Sequence, residues 1–217
     1  NAAYRVATTN WINKLFPKSD IHFLIDEPSI FVAYNKGIEL TKDNKYVCFV
    51  HEDIDLVDIN KQKLTSLLNK ETTGFVGVAG SVKLDPSACW WIAYNGTPRE
   101  NLSGRAGHQQ LDGDKIKRWY NTYGEIGQVE ILDGVILFCN RKLLDSIRWD
   151  ESTFGGWDFY DISITWEANF KRFKNYTFKD IKLYHWGLGY PRDTWEDNRR
   201  KFIEWSTSKL NGTTKED

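Results

Sequence analysis

The stretch NKYVCFVHEDIDLVD, residues 44–58, decides how the rest of the chain is read. Tyr46 to Val50 is an unbroken run of strand formers, the pattern of a strand buried on both faces. It stops at His51, and Glu52, Asp53, Asp55 and Asp58 follow at once. Carboxylates this close repel one another, so the fold gains little from the crowding itself. Two explanations compete. Asp53 or Asp55 caps a helix that begins near Asp58, or the acids gather around a positive charge. Carboxylates at a strand end with a histidine nearby suit Mg²⁺ or Mn²⁺, which would bridge to phosphate oxygens. Spacing alone does not choose between the two.

Working outward, the chain alternates strand and helix patterns. Upstream, Tyr4 to Thr8 reads as a short first strand and Trp11 to Phe16 as a short helix. Ile21 to Ile25 reads as a compact strand ending at Asp26, with Glu27-Pro28-Ser29 as its turn. Ile30 to Leu40 is helical in period. Downstream, Ile59 to Leu68 is an amphipathic helix with Leu64, Leu67 and Leu68 on one face, and Gly74 to Ser81 is a Gly-dotted strand. The alternation predicts an α/β fold: one mostly parallel central sheet flanked by helices. Past Ser81 the rhythm changes. Cys89 to Ile92 reads as an edge strand, and Asn95 to Gly113, with Arg99, Arg105 and His108, reads as a long mobile loop. Val129 to Phe138 is strand, Lys142 to Ile147 helix, Asp158 to Phe173 helix and Tyr176 to Leu183 strand. The tail from Thr194 to Leu210 is an amphipathic helix anchored by Trp195, Phe202 and Trp205.

Bulk properties narrow the function classes. With 217 residues the chain can bury a substantial core. No repeat or low-complexity linker divides it, so a single domain over 1–217 is expected, with halves at about 1–82 and 83–217. The net charge of -1 argues against nucleic-acid binding, which needs a basic surface. Aromatic residues make up 15% of the chain, with 10 Trp. Exposed Trp is a common device for stacking on sugars or bases, which favours a ligand with flat apolar faces. Cys48, Cys89 and Cys139 lie in or beside apolar stretches and match no zinc spacing or disulfide framework. They read as buried free thiols of a reducing compartment, which places the protein in the cytoplasm. Asn-x-Ser/Thr triplets at Asn95, Asn101, Asn175 and Asn211 are then fortuitous. No apolar run is long enough for a membrane span and no signal peptide is visible. The first residues, Asn1-Ala2, lack an initiator Met, consistent with a domain cut from a longer protein.

The order of several motifs adds a resemblance. AYNKGIELTKDNKYVCFVHEDIDL, GFVGVAGS, CWW, DGVILFCNRKLLDSIRWDESTFGGWDFYDISITWEANFKRF and KLYHWGLG together resemble the GT-A glycosyltransferases, most closely their family-2-like branch. The likeness covers roughly residues 22–190, and the order of motifs is more specific than any one of them. It implies a nucleotide-diphosphate sugar donor, UDP-linked being favoured, and a glycan or glycoconjugate acceptor. It also implies a divalent cation, Mn²⁺ or Mg²⁺, and transfer with inversion. The nucleotide-binding half would be the first. Members usually have a longer first strand–helix unit, so this chain is compressed or trimmed there.

Roles carry over residue by residue. Asp26 would hydrogen-bond the base, with Thr8 beside it. The family's D-x-D motif falls on His51-Glu52-Asp53, where only Asp53 keeps the aspartate. Asp53 is the implied metal or diphosphate contact, with Glu52 and Asp55 able to compensate for the acid missing at His51. His185 would reach the metal or diphosphate. Asp133 and Gly134 would sit near the donor sugar and acceptor, although Gly134 also suits a turn or bulge. Asp161, opening a helix, would be the general base, while Asp158 is a rival base and the expected N-cap. Trp157 after Gly155-Gly156 suits a sugar platform or core packing equally. Arg192, Arg199 and Arg200 could reach the diphosphate, or form a solvated helix face. Trp90, Trp91, Trp119 and Trp157 suit a glycan acceptor. Two other classes fit the residues less well. A nucleotidyltransferase would need a Gly-rich basic loop after the first strand, which is missing. A non-catalytic carbohydrate-binding domain would leave Asp26, Asp53 and Asp161 unexplained. The transferase reading therefore requires Asp53 and Asp161 to face one site.

Overall fold

The computed structural model describes residues 2–90, 99–187 and 193–213. Strand β1 (Tyr46–Val50) runs as expected, but the acids after it neither cap a helix nor all gather at one point. The chain turns through His51–Asp53 and immediately forms β2 (Ile54–Ile59), which carries Asp55 and Asp58. Helix α3 (Lys61–Leu68) starts later, capped by Asn60, whose side chain accepts from the Lys63 amide at 3.1 Å. Ile54, Leu56 and Ile59 are buried while the acids between them keep access to solvent, so β2 is a half-buried strand.

The remaining elements are β3 (Thr73–Gly77), β4 (Ala79–Ser81), β5 (Leu102–Asp112), β6 (Lys115–Gly124), β7 (Gln128–Val129), β8 (Ile131–Leu132), β9 (Ile136–Asn140), α4 (Arg141–Ser146), α5 (Tyr160–Phe170), β10 (Lys174–Thr177), β11 (Ile181–His185) and α6 (Trp195–Thr213), with α1 (Ala2–Leu15) and α2 (Ile30–Leu40) at the start. Two sheets form. One has the order β1-β9-β3-β10-β7, the other β2-β11-β5-β4-β8, with β6 paired to β5. Among the described residues, only β3 with β10 and β5 with β11 pair in parallel. The sheets are therefore mixed and largely antiparallel, which corrects the expectation of a mostly parallel sheet. Connection length explains this. β5 reaches β6 through a tight turn at Gly113 (φ +62°), too short for the crossover that parallel neighbours need, while β1 and β2, three residues apart, enter different sheets.

Several local expectations change with it. Tyr4 to Thr8 is helical, part of α1. That helix is fixed by Trp11, whose indole N–H donates to the Ile54 carbonyl at 3.0 Å, and by the buried Thr8. Residues 21–25 join neither sheet, and Phe23 and Ile25 remain exposed. Asp26 is thus not at a strand end but on an exposed bend with φ +57°, before the Ser29 cap of α2. Within the described residues, the segment read as a mobile loop is the β5–β6 hairpin; Asn95 and Trp91 lie outside the described residues. Its outward side chains interlock: the Arg118 guanidinium lies 4.6 Å over the Tyr184 ring and Arg105 4.9 Å over Tyr120. The 129–138 strand is interrupted at Asp133-Gly134, and the 176–183 strand is split between β10 and β11. Cys89 and Cys139 are buried free thiols, but Cys48 is exposed.

One hydrophobic cluster links both sheets and the helices. Phe31, Tyr34, Phe49, Phe75 and Trp149 pack α2 against the first sheet, with Tyr34 meeting Trp149 edge-on at 5.1 Å. Helix α6 joins the same cluster, where Phe202 packs against Trp166 and Phe159, and Trp205 against Phe154, which stacks on Phe31 of α2. Asn175, fully buried, ties the layers: it accepts from the Phe75 amide and donates to the Glu130 and Thr165 carbonyls.

Candidate functional site

Four chain segments converge where β1 and β11 end. The turn His51–Asp53 is pinned by main-chain bonds, His51 N to Val135 O at 3.2 Å and Trp186 N to Asp53 O at 3.0 Å. These bonds bring the end of β11 and the β8–β9 turn against it. The Asp53 carboxylate then accepts from His185 Nε2 at 3.1 Å, with His51 Nδ1 at 4.0 Å from the same oxygen. One ligating atom each from His51, Asp53 and His185 lie within 4.8 Å of one another. Burial opposes ionisation of Asp53, but the bond and charge of His185, with His51 behind it, outweigh burial and hold the carboxyl below its ordinary range. Burial likewise opposes protonation of His185, and Asp53 with Asp133 reverses that. Two imidazoles and a carboxylate, partly buried and mutually close, form a donor set that fits a divalent cation such as Mn²⁺.

The fourth segment is the start of α5. The Tyr160 hydroxyl lies 2.5 Å from His51 Nε2. The next residue, Asp161, accepts from the Gly134 amide at 3.0 Å and from its neighbour Ile162 at 2.8 Å. Burial, and next the charge of Asp133, push the Asp161 carboxyl up to about 7. Gly134 is required here, because a β-carbon would lie 2.2 Å from the Tyr160 hydroxyl. Asp133 itself bonds the Val135 amide at 2.9 Å. Its charge also reaches His108 and Tyr123, which places it amid the group. Asp53 and Asp161 are therefore joined through His51 and Tyr160, on one side of the molecule.

Other sequence-selected residues sit elsewhere or touch the group indirectly. Thr8 donates to the Glu52 carbonyl at 2.7 Å, so α1 braces the turn from behind. Asp55 lies outside the cluster, accepting from Gln109 at 2.8 Å and Arg118 at 3.2 Å. Asp26 belongs to the bend before α2 and ends no strand. Asp158 is not the cap of α5, since Phe159 occupies that position; its carboxylate accepts from Thr194 at 2.6 Å. Trp157 is 45% exposed beside this segment. Arg199 bonds Glu196 and the Ser87 carbonyl, Arg200 bonds Asp197, and Arg192 lies outside the described residues. A cleft of about 360 Å³ lined by Asp58, Arg105, Lys179 and Lys182 lies at the opposite ends of β2 and β11 and holds none of the converging groups.

Sequence reasoning passed over Tyr160 as a site residue and placed His108 in a loop. His108, level with His185 across the β5–β11 pairing, is held by Gly187 O at 3.4 Å and Asn121 Nδ2 at 3.1 Å. Burial keeps its imidazole below the ordinary value. No spacing signals it, because its neighbour across the sheet is 77 positions away.

A family model described as "Glycosyltransferase like family" matches residues 15–204. The chain belongs to that family. It is 26% identical over 196 residues to the streptomycin biosynthesis protein StrF of Streptomyces griseus, a match covering 87% of this chain. The matched part spans 64% of that relative's length. Among solved structures, A197 from STIV is similar with a TM-score of 0.51 at 15% identity, covering 84% of this chain and 80% of that one. That likeness bears on the fold, and family membership on a glycosyltransferase-type function. No helix among the described residues is long and apolar enough to cross a membrane.

Proposed function

We propose that the protein transfers a sugar from a nucleotide-diphosphate donor to an acceptor hydroxyl, with inversion, through the site built around Asp53 and Asp161. The observation that carries this reading is the division of labour between two acidic centres in one group. One, Asp53 between two histidines, is held ionised; the other, Asp161, is held near neutral pH. His51, Asp53 and His185 would hold the divalent cation, which when bound supplies the charge that neutralises a departing diphosphate. Asp161 accepts the acceptor hydroxyl's proton as its oxygen bonds to the anomeric carbon. The amides of Gly134 and Ile162 fix the carboxylate's direction during that step. A base that titrates near 7 is matched to a task at neutral pH, which an ordinary surface aspartate is not. Trp157, exposed after two glycines, would offer its ring to the acceptor sugar. The acceptor is a glycan or glycoconjugate, and the donor is a UDP-sugar in preference to other nucleotides.

Asp161→Asn tests the assignment. Transfer should fall by at least about 10³-fold, the upper part of the usual contribution of a positioned base, while Mn²⁺-dependent nucleotide affinity stays within about twofold. Transfer that is spared, or a loss explained by lost nucleotide binding, would remove Asp161 from this role.

A further inference from the structure

Phe159, immediately before Tyr160 and Asp161, has φ +66° and ψ +2°, a left-handed conformation that bulky side chains avoid. It makes no side-chain cap and is only 2% exposed, its ring 5.5 Å from Trp195 and 5.8 Å from Phe202 of α6. The same helix grips the residues leading into it. Asn198, 1% exposed, donates from one amide nitrogen to Gly155 O at 2.7 Å and to Asp158 O at 3.0 Å. Thr194 bonds the Asp158 carboxylate, and the Gly156 carbonyl accepts from the first amide of α2, Ile30, at 3.0 Å. Gly156, at φ +70°, has no room for a β-carbon, which would meet Thr194 Oγ1 at 2.9 Å. Every bond of this clamp falls on residues 155–159, and the next two residues enter the site.

We infer that the first turns of α6 are a positioning device for the proposed base: Asn198 and the ring contacts on Phe159 hold the chain in its strained turn, which aims Tyr160 at His51 and Asp161 at Gly134. The inference rests on the transferase reading for its purpose, but its geometry can be tested without turnover. The Gly134 amide donates to Asp161 Oδ2, so its hydrogen-exchange rate reports where that carboxylate points. In Asn198→Ala, exchange at Gly134 should speed up by at least about tenfold, whereas the amides of Val76 and Phe138 in the first sheet should keep their rates. Acceleration spread evenly over these amides, or none at Gly134, overturns the inference and leaves Asn198 with general stability alone.

A second pair of variants guards against Asn198→Ala failing to fold. Phe159→Ala and Phe159→Gly both lose the ring, but only glycine adopts positive φ freely. Phe159→Gly should therefore melt about 2–4 °C above Phe159→Ala, because alanine must keep the strained positive φ. Equal melting, or alanine above glycine, would contradict the clamp. On UDP-sugar substrates, Asn198→Ala should lower kcat about 10- to 100-fold with an unchanged donor KM. If the wild type transfers nothing while the exchange pattern holds, the transferase reading fails and the clamp stands; a lowered exchange response with intact transfer is the opposite case.

Discussion

At the scale of single residues, Asp161 makes the account quantitative. Its carboxyl is pushed up to about 7 by burial and by Asp133, against an ordinary value of 3.8. As the folded value is the higher one, the folded state binds the proton more tightly than the unfolded chain. The associated stability is fully present below about 4 and is lost as pH rises through about 7. Asp161→Asn cannot ionise, so it should melt a few degrees above wild type at pH 8, with the gap closing below pH 4. Calorimetry across that range checks the sign. The wild-type rate should rise with pH through about 7, because the base must be unprotonated to act. A rate that falls through this window contradicts the assignment. Gly134 gives a second residue-scale test. A β-carbon there collides with the Tyr160 hydroxyl, so Gly134→Ala should cost about 1–3 kcal/mol by overpacking and part Tyr160 from His51. Tyr160→Phe, which removes the hydroxyl bonded to His51, should cost about 1 kcal/mol, and a smaller loss in Gly134→Ala than in Tyr160→Phe in denaturant melts would undo this explanation.

At the scale of elements, Asn175 shows how one buried amide holds several strands and a helix in register. Replacing it with Ala leaves the Phe75 amide and the carbonyls of Glu130 and Thr165 without their partner in the interior. The expected loss is about 2–4 kcal/mol, readable as a lowered denaturation midpoint with an unchanged slope. Being fully buried, Asn175 is also no acceptor for a glycan in the folded chain, whatever its Asn-x-Thr triplet suggests. Elements with a strong local signal were legible from sequence: α2, β1, and α6 with its aromatic anchors. Those decided by distant partners were not. Tyr4 to Thr8 is too short for periodicity to separate strand from helix, and Trp11 settles it only by reaching Ile54. Ile21 to Ile25 has strand composition, yet joins neither sheet. The β5–β6 hairpin hid because its strands are polar and its stabilising contacts, Arg118 on Tyr184 and Arg105 on Tyr120, are made across the sheet.

At the scale of the whole molecule, two sheets meet so that strand ends from both, one turn and one helix start share a small volume. The motif order in the sequence already named Asp53, Asp133, Gly134, Asp161 and His185, and these five fall together in space. It could not show that His51, where the usual acid is missing, would itself turn toward Asp53 and His185. Nor could it show that Asp55 would be drawn away by Arg118. Both depend on β2 following β1 directly, a topological fact beyond the reach of residue patterns. The account stands on the proposal that the His51–Asp53–His185 group, with a divalent ion, holds the donor's diphosphate. The most direct measurement is the melting temperature of wild type and Asp53→Ala with UDP, GDP and CDP, each with and without Mn²⁺. The account predicts a rise of several degrees in wild type for at least one nucleotide, only when Mn²⁺ is present, and none in Asp53→Ala. No nucleotide stabilising the wild type, or the same rise in the variant, would contradict it.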